Sequence, residues 1–348
     1  MNESAESEDE RLRILSPALT SPSPLNIQPW YVTFPAPQRI DLFIDPGRLL
    51  PRLDPSCHQI LLSFGAFIEN LDISSRENGF RTEITYFPAG WPGELPDPDQ
   101  PVARIDLTPD DRVTKDPLFP AIRKRQSNRG AYRSQPVPDT LLGRLTGSLG
   151  PAQFPMAMAY TVHPGLMTDI CGFLIRGMEI ALADTERFGE VARWISCKTP
   201  SARNSDGLNL SQLGTAGPSG WFTRLILCLS GEMGRPSFLH HILLSQTRKQ
   251  ATSAAAFGWI VTPENHRITQ LRAGRAFERV HLTAALLGLS LQPMNHVLHT
   301  YADMENTRYD FKAILGIPET STLQMFFRMG YARPVPFAPR RPLESIVR

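Results

Sequence analysis

The sequence predicts an α+β protein, on three observations. Segments that alternate apolar and polar residues mark strands at 31–34, 39–44, 80–87 and 102–107. Within 57–76, Ile60, Leu61, Phe64, Phe67, Ile68 and Leu71 recur at helical spacing, with Asn78-Gly79 behind them as a stop signal. A loosely similar order of helices and strands returns in the second half, although no residue-level repeat is visible. The strands of the first half are too few to stand alone comfortably.

Along the chain, 11–19 could form a short helix ended by the Pro-rich turn at 22–24, and Asp45-Pro46-Gly47 turns the chain after the second strand. Pro, Gly and Asp make 88–100 a surface loop, and 108–116 reads as the linker between halves. The second half opens with a short helix into an Arg-rich segment, followed by an element at 139–149, a strand near 156–162 and a helix at about 165–183. Ser, Asn, Gly and Pro dominate 195–219, a long irregular stretch of the kind that serves as a functional lid or stays disordered. A buried strand is expected at 254–261, and 271–288 is apolar on more than one side, which predicts a central helix. A last helix at about 308–315 precedes a strand at 323–331.

The composition excludes several classes of function. With 348 residues, 41% hydrophobic and 20% charged, the chain can build a sizeable core. A net charge of +2 gives no general phosphate-binding surface, so no nucleic-acid partner is expected. Cys57, Cys171, Cys197 and Cys228 lie far apart, which argues against a zinc site or disulfide framework and fits a reducing compartment. With no signal-like start and no apolar run of about 18 residues, a cytoplasmic protein without a membrane span is the expectation. Gly-x-Ser-x-Gly, Gly-x-Gly-x-x-Gly, Walker and His-Glu-x-x-His motifs are all missing, which removes the corresponding hydrolase, dinucleotide-fold, nucleotidase and zincin readings. His296 and His299 have no carboxylate or thiol at matching spacing and read as surface histidines; no metal is expected.

Two short motifs carry the chemistry. In an extended segment residues i, i+2 and i+4 face one way, so Arg125, Ser127 and Arg129 would present two guanidinium forks and a hydroxyl along one line, suited to a phosphate dianion. Alone, such a segment reads as a solvated basic loop. Its company is Gln135-Pro136-Val137-Pro138 downstream and Arg340-Arg341-Pro342-Leu343 near the end of the chain. The second motif is Ser-Pro-Ser-Pro-Leu-Asn-Ile-Gln-Pro-Trp at 21–30. Proline-rich turns leave backbone amides free to face a ligand, and Ser23 and Asn26 are short enough to approach a flat ring edge. The plain alternative is a turn before an edge strand, with Gln28 and Trp30 merely packing, and for Trp30 a core position is expected either way.

Together these segments resemble the nitroreductase-like flavoproteins, and most closely the Acg-type subgroup, in which two nitroreductase-like halves are fused. Further matching stretches are Asp54-Pro55, Ser63 to Ala66, Asn70-Leu71, Ala273 to Ala276, Leu282 to Ala284 and Gly330-Tyr331. The resemblance implies an intramolecular pseudo-dimer with halves 1–113 and 114–348, and FMN as cofactor. It implies contacts from Ser23, Asn26 and Gln28 of the first half, and from Arg125, Ser127, Arg129, Arg340 and Arg341 of the second. It also makes Asp206-Gly207 the pair whose Gly207 amide approaches flavin N5. The first half has no Arg-x-Ser-x-Arg and the second no Ser-x-x-Asn-x-Gln-Pro-Trp, so one complete site per chain is expected, with no oligomer required to build it. His58 stands where the family has an arginine, and Phe64 and Phe67 replace small residues.

Two functions follow from the resemblance. One is an oxidoreductase that passes hydride through flavin N5 to or from a small organic substrate, with NADPH or NADH as an available donor. The other is a protein that binds or sequesters FMN with little turnover. A weaker third is a fold that has lost its flavin site.

Overall fold

The computed structural model describes residues 9–90, 93, 97–149, 156–196, 205–214 and 231–348. Asp9 caps the first helix, α1 (Glu10–Ala18), where its carboxylate accepts the Arg11 N–H at 2.9 Å. Strands β1 (Trp30–Ala36) and β2 (Arg39–Ile44) pair antiparallel with Trp30 opposite Ile44. Helix α2 (His58–Glu77) follows, then β3 (Phe80–Tyr86) and β4 (Ala103–Pro109). The four strands form one antiparallel sheet in the order β1-β2-β4-β3. Because β4 runs on to Pro109, the connection between halves begins two residues later than the composition suggests.

Beyond it come α3 (Phe119–Ile122), α4 (Asp139–Thr146), β5 (Ala157–Thr161), α5 (Pro164–Ala183) and α6 (Thr185–Arg193). Two-residue strands β6 (Ile195–Ser196) and β7 (Leu208–Asn209) pair in parallel. The chain continues through α7 (Gly231–Thr252), β8 (Ala256–Thr262), α8 (Arg267–Leu286), β9 (Ser290–Pro293), α9 (Glu305–Ile314) and β10 (Thr322–Gly330). The second sheet has the order β5-β8-β10-β9, again antiparallel throughout. Counted by rank within each sheet, both read first, second, fourth, third. No described helix is long and apolar enough to cross a membrane.

A repeat invisible in the residues is plain in the helices. α2 and α8 are each 20 residues long, and one shift of 209 positions carries 58 onto 267 and 77 onto 286. The same shift carries Gly65 onto Gly274 and Leu62 onto Leu271. Those four residues are where the helices cross: a Cβ on Gly65 would lie 2.0 Å from the Leu271 carbonyl oxygen, and one on Gly274 would lie 2.0 Å from that of Leu62. Only hydrogen at both positions lets the two backbones approach this closely. The shift also equates Glu69 with Glu278 and Asn70 with Arg279, and each buried carboxylate is met by the equivalent position of the opposite helix, one as an ion pair and one as a hydrogen bond. Arg279 donates to Glu69 Oε1 at 2.8 Å, and Asn70 Nδ2 donates to Glu278 Oε1 at 3.0 Å.

The core lies on both sides of this crossing. Trp30 is fully buried against Phe64 and Phe67, as expected, so the two phenylalanines fill space between α2 and the first sheet. After Pro342 the chain returns to that sheet: Val32 N–H donates to Ile346 O at 2.9 Å and Arg348 N–H to Val32 O at 2.9 Å, which buries Ile346 in the first half's core.

Two helices, α6 and α7, and three short strands, β6, β7 and β9, go beyond the sequence expectation. The inward face of α7 carries Gln246, Thr247 and Gln250 beside Leu243, so it has no continuous apolar stripe to reveal it.

Gly65→Ala or Gly274→Ala is expected to destabilise the protein by about 3 kcal/mol or more, since two backbones must part to admit one methyl. Gly143→Ala in α4, where nothing lies within 4 Å, should be neutral or mildly stabilising. Equal midpoints for all three variants in urea unfolding would show that the crossing is not close.

Candidate functional site

Just past α3 the chain runs extended beside β9. Ser127 forms a parallel bridge to Leu291, and the Asn128 N–H donates to Leu291 O at 3.2 Å. The alternation this imposes turns Arg125, Ser127 and Arg129 to one side, where all three line a small polar cavity of about 50 Å³. Asn128 faces the other way and donates through Nδ2 to Arg333 O at 2.8 Å.

The opposite wall is built by the turn after α1. Leu25, Asn26 and Gln28 all adopt left-handed backbone conformations, with φ of 48°, 58° and 49°. Such angles are unfavourable for a residue with a Cβ, above all for a leucine, and persist only where neighbours hold them. Here Ser23 Oγ accepts the Gln28 N–H at 2.9 Å, and Gln28 is clamped at both ends, its Nε2 donating to Ser205 O at 2.9 Å and its Oε1 accepting the Arg341 N–H at 2.8 Å. Asn26 Oδ1 accepts from Arg340 at 2.9 Å, and its Nδ2 donates to Gly207 O and Pro339 O, each at 3.0 Å. Ser23 and Asn26 thereby reach the cavity wall together with Arg340.

The small cavity is electropositive. Arg125 Nε lies 3.0 Å from Glu278 Oε1, an ion pair excluded from water. Among the described residues Arg340 donates only to Asn26 and backbone carbonyls, and its Nε has no hydrogen-bond partner there. Arg129 has no acidic partner among the described residues. Three guanidinium groups therefore share one carboxylate. Burial, with Arg125 nearby, pulls Arg340 down to about 9, and burial pulls Arg129 down to about 10; both stay charged at neutral pH. A site of this kind is made to receive an anion.

A larger cavity of about 260 Å³ shares Pro22, Ser23, Ser127, Arg129 and Leu208 with the small one. Its floor comes from α2, α8 and β9. Its roof is apolar, with Leu182, Val191, Leu208, Leu213 and Leu243 drawn from the chain inserted between β5 and β8. Gly214, at φ 87°, lies so close to Arg129 that a Cβ would come within 2.2 Å of its carbonyl oxygen. The described part of the insertion is fastened to the site by a 2.8 Å ion pair from Arg48 to Asp206.

Several expected contacts resolve differently. The Gly207 N–H is donated to Asn26 O at 3.1 Å, so it is not free to face a ring. Gln28 is fully buried and lines neither cavity. Arg341 lines neither; it donates to Gln28 O, Trp30 O and Ser345 O and so ties the final segment to the strained turn. Asn26 uses both amide hydrogens inside the protein and acts as a hub. Of the expected lid, 205–214 borders the site, while 197–204 and 215–219 lie outside the described residues. His296 and His299 are cavity walls rather than surface residues: His296 Nε2 donates to Leu174 O at 2.8 Å, and burial pulls the two imidazoles down to about 4 and about 3. In the sequence only their place just after a β-strand could have marked them.

Two outcomes test this electrostatic picture. Removing an uncompensated buried charge should raise stability, so Arg129→Met is expected to melt higher than the parent without added anion, by about 1 kcal/mol, and to lose stabilisation by pyrophosphate. A lower melting temperature in phosphate-free buffer would mean that Arg129 is paired. The second concerns acid. His58, His281, His296 and His299 are held neutral in the fold by burial, so below the ordinary value of 6.5 only the unfolded chain takes up their protons. Their contribution is complete above pH 6.5 and lost as pH falls toward 4. Asp54, raised to about 6 by burial, and Glu278, raised by burial, act in the opposite sense. Four groups outweigh two, so denaturant midpoints should fall from pH 6.5 to pH 4.5, and a level profile would contradict the buried neutral histidines.

No protein-family model matches the chain. Among curated proteins it is 25% identical over 344 residues to "Putative NAD(P)H nitroreductase acg" of Mycobacterium tuberculosis, covering 94% of this chain and 92% of that one. It is also 25% identical over 358 residues to "Putative NAD(P)H nitroreductase Rv3131" of the same organism, covering 96% and 90%. Among solved structures, the FMN-dependent nitroreductase NfnB of Mycobacterium smegmatis aligns with a TM-score of 0.41 at 18% identity, over 66% of this chain and 95% of that one. The chain is thus similar in sequence to these two mycobacterial proteins, each named a putative NAD(P)H nitroreductase, almost end to end in both.

Proposed function

We propose that the joined cavities hold FMN and that the protein is an FMN-dependent oxidoreductase that moves hydride through flavin N5 to or from a small organic substrate. The carrying observation is Arg129, a buried guanidinium with no acidic partner among the described residues, at the junction of the polar and apolar cavities. A phosphate monoester would complete the charge that Glu278 leaves unbalanced around Arg125, Arg129 and Arg340. Ser127, whose hydroxyl has no partner among the described residues, and Ser23 stand beside them for the polar chain of the cofactor. The larger cavity, with its apolar roof and with Leu62, Ala66 and Phe277 below, suits a flat ring. Bound FMN would supply a two-electron carrier; the protein's part is to anchor it, orient it and exclude water. The name shared by the mycobacterial relatives agrees with this reading and suggests NADPH or NADH as donor.

In this reading the chain is two nitroreductase-like halves, 1–113 and 114–348, joined as a pseudo-dimer. The common strand order and the 209-residue helix shift support it. The free Cys57 and Cys171 suit a reducing compartment such as the cytoplasm.

One observation favours a second reading, an FMN-binding or sequestering protein with little turnover. The described part of the insertion is held across the site by Ser205, Asp206 and Gly207, which would restrict access to a bound ring.

Purified protein should take up about one FMN per chain, and Arg129→Ala should weaken FMN by about one to two decades while sparing riboflavin, because the lost charge-assisted bonds are to phosphate. Equal weakening of both ligands would remove Arg129 from the phosphate. Anaerobic NADPH then separates the two readings: bleaching supports the oxidoreductase, and a yellow protein that stays yellow supports sequestration.

A further inference from the structure

The larger cavity has a hydrogen-bonding wall that the flavin anchor does not use. Its orientation is fixed by the backbone. The Phe326 N–H can only donate, and it donates to Asn295 Oδ1 at 2.8 Å, so the Asn295 amide nitrogen must point the other way. That nitrogen meets Gln59 Oε1 at 2.7 Å, which in turn fixes the Gln59 side chain. What remains is Gln59 Nε2, a buried donor with no hydrogen-bond partner. His299 shares the same cavity. Its ring stacks on Tyr301 at a centroid distance of 5.3 Å, and neither ring nitrogen has a hydrogen-bond partner among the described residues. None of Gln59, Asn295 and His299 borders the small cationic cavity.

Resting on the flavin reading above, we infer that Gln59 and His299 form a substrate subsite that receives the oxygen of an uncharged carbonyl compound with an apolar body. The buried, unpartnered Gln59 amide nitrogen loses water on folding, and an acceptor oxygen restores its bond; the N–H of the His299 ring, which borders the same cavity, is available to the same oxygen. The imidazole is neutral, since burial pulls His299 down to about 3. A neutral imidazole can polarise a carbonyl through its N–H, but it adds no charge to hold a carboxylate. The facing wall of Leu182, Val191 and Leu243 favours a hydrocarbon body and penalises a charged one. The pair thus selects by what it lacks in charge as well as by what it donates.

Acetophenone, ethylbenzene and benzoate share one ring and differ in the group presented. Titration calorimetry on the FMN-loaded protein should show acetophenone binding about tenfold or more tighter than either of the others. Gln59→Leu and His299→Leu should erase that preference with FMN affinity changed by no more than about twofold, and His299→Gln, which keeps an N–H donor, should retain part of it. Circular dichroism on each variant confirms folding, and the conservative glutamine variant decides the matter if a leucine variant fails to fold. Ethylbenzene binding as tightly as acetophenone, benzoate binding more tightly, or variants that weaken FMN as much as the ketone would each overturn the subsite. Should the parent protein take up no FMN at all, the flavin reading falls, and the same three ligands on the flavin-free protein still decide the subsite.

Discussion

Everything in this molecule is hung on the crossing of α2 and α8. Where Gly65 and Gly274 meet, each backbone fills the space that a side chain would need, so the helix axes are set by covalent geometry rather than by adjustable packing. One turn further along, Glu69 and Glu278 are fully buried, and each is answered from the opposite helix. A buried carboxylate without such an answer would be very costly. The crossing therefore fixes not only distance but also which polar groups must appear beside it.

The two ends of that arrangement have diverged in charge, and this explains why a cationic cavity forms beside Glu278 and, among the described residues, not beside Glu69. Around Glu69, Arg275 and Arg279 are matched by Asp72 and Asp116, and the network closes on itself. Around Glu278, Asn70 stands where the shift would place the counterpart of Arg279, and no further carboxylate is present among the described residues that line the small cavity. Arg125 reaches Glu278, and Arg129 and Arg340 are left with positive charge to spare. A closed network contributes rigidity; an open one contributes affinity for an anion.

Legibility from sequence followed the physical origin of each feature. The longer strands and the two crossing helices rest on periodicity, which is local, and they emerge within a few residues of their bounds, whereas β6, β7 and β9 are too short to show a period. Arg125, Ser127 and Arg129 face one way because extended backbone alternates, again a local rule. The hydrogen-bonding groups of Gly207, Gln28 and Arg341 are less legible, because what occupies them lies far off in the chain: Gly207 binds Asn26, and Arg341 binds Gln28 and Trp30. The burial of His296 and His299 is illegible for the same reason: nothing near His296 in sequence records that it bonds to Leu174 of α5, or that both rings border a cavity. Helix α7 escaped notice because its inner face borders a cavity and is partly polar, the one circumstance in which amphipathicity misleads.

The strained turn shows how a non-local feature can be made reliable. Three left-handed residues with side chains would cost on the order of 1–3 kcal/mol each if left to themselves. They are held by the Ser23 hydroxyl from within, by Arg340 and Arg341 from the returning end of the chain, and by Ser205 and Gly207 from the insertion. Each of the three sources belongs to a different stretch of sequence, and all three meet on Asn26 and Gln28. Loss of the Arg341 clamp would relax Gln28, and a relaxed Gln28 would free the insertion at Ser205, so anchor and roof are coupled through a single turn. That coupling makes Arg341 a determinant of the cavity although it touches neither wall.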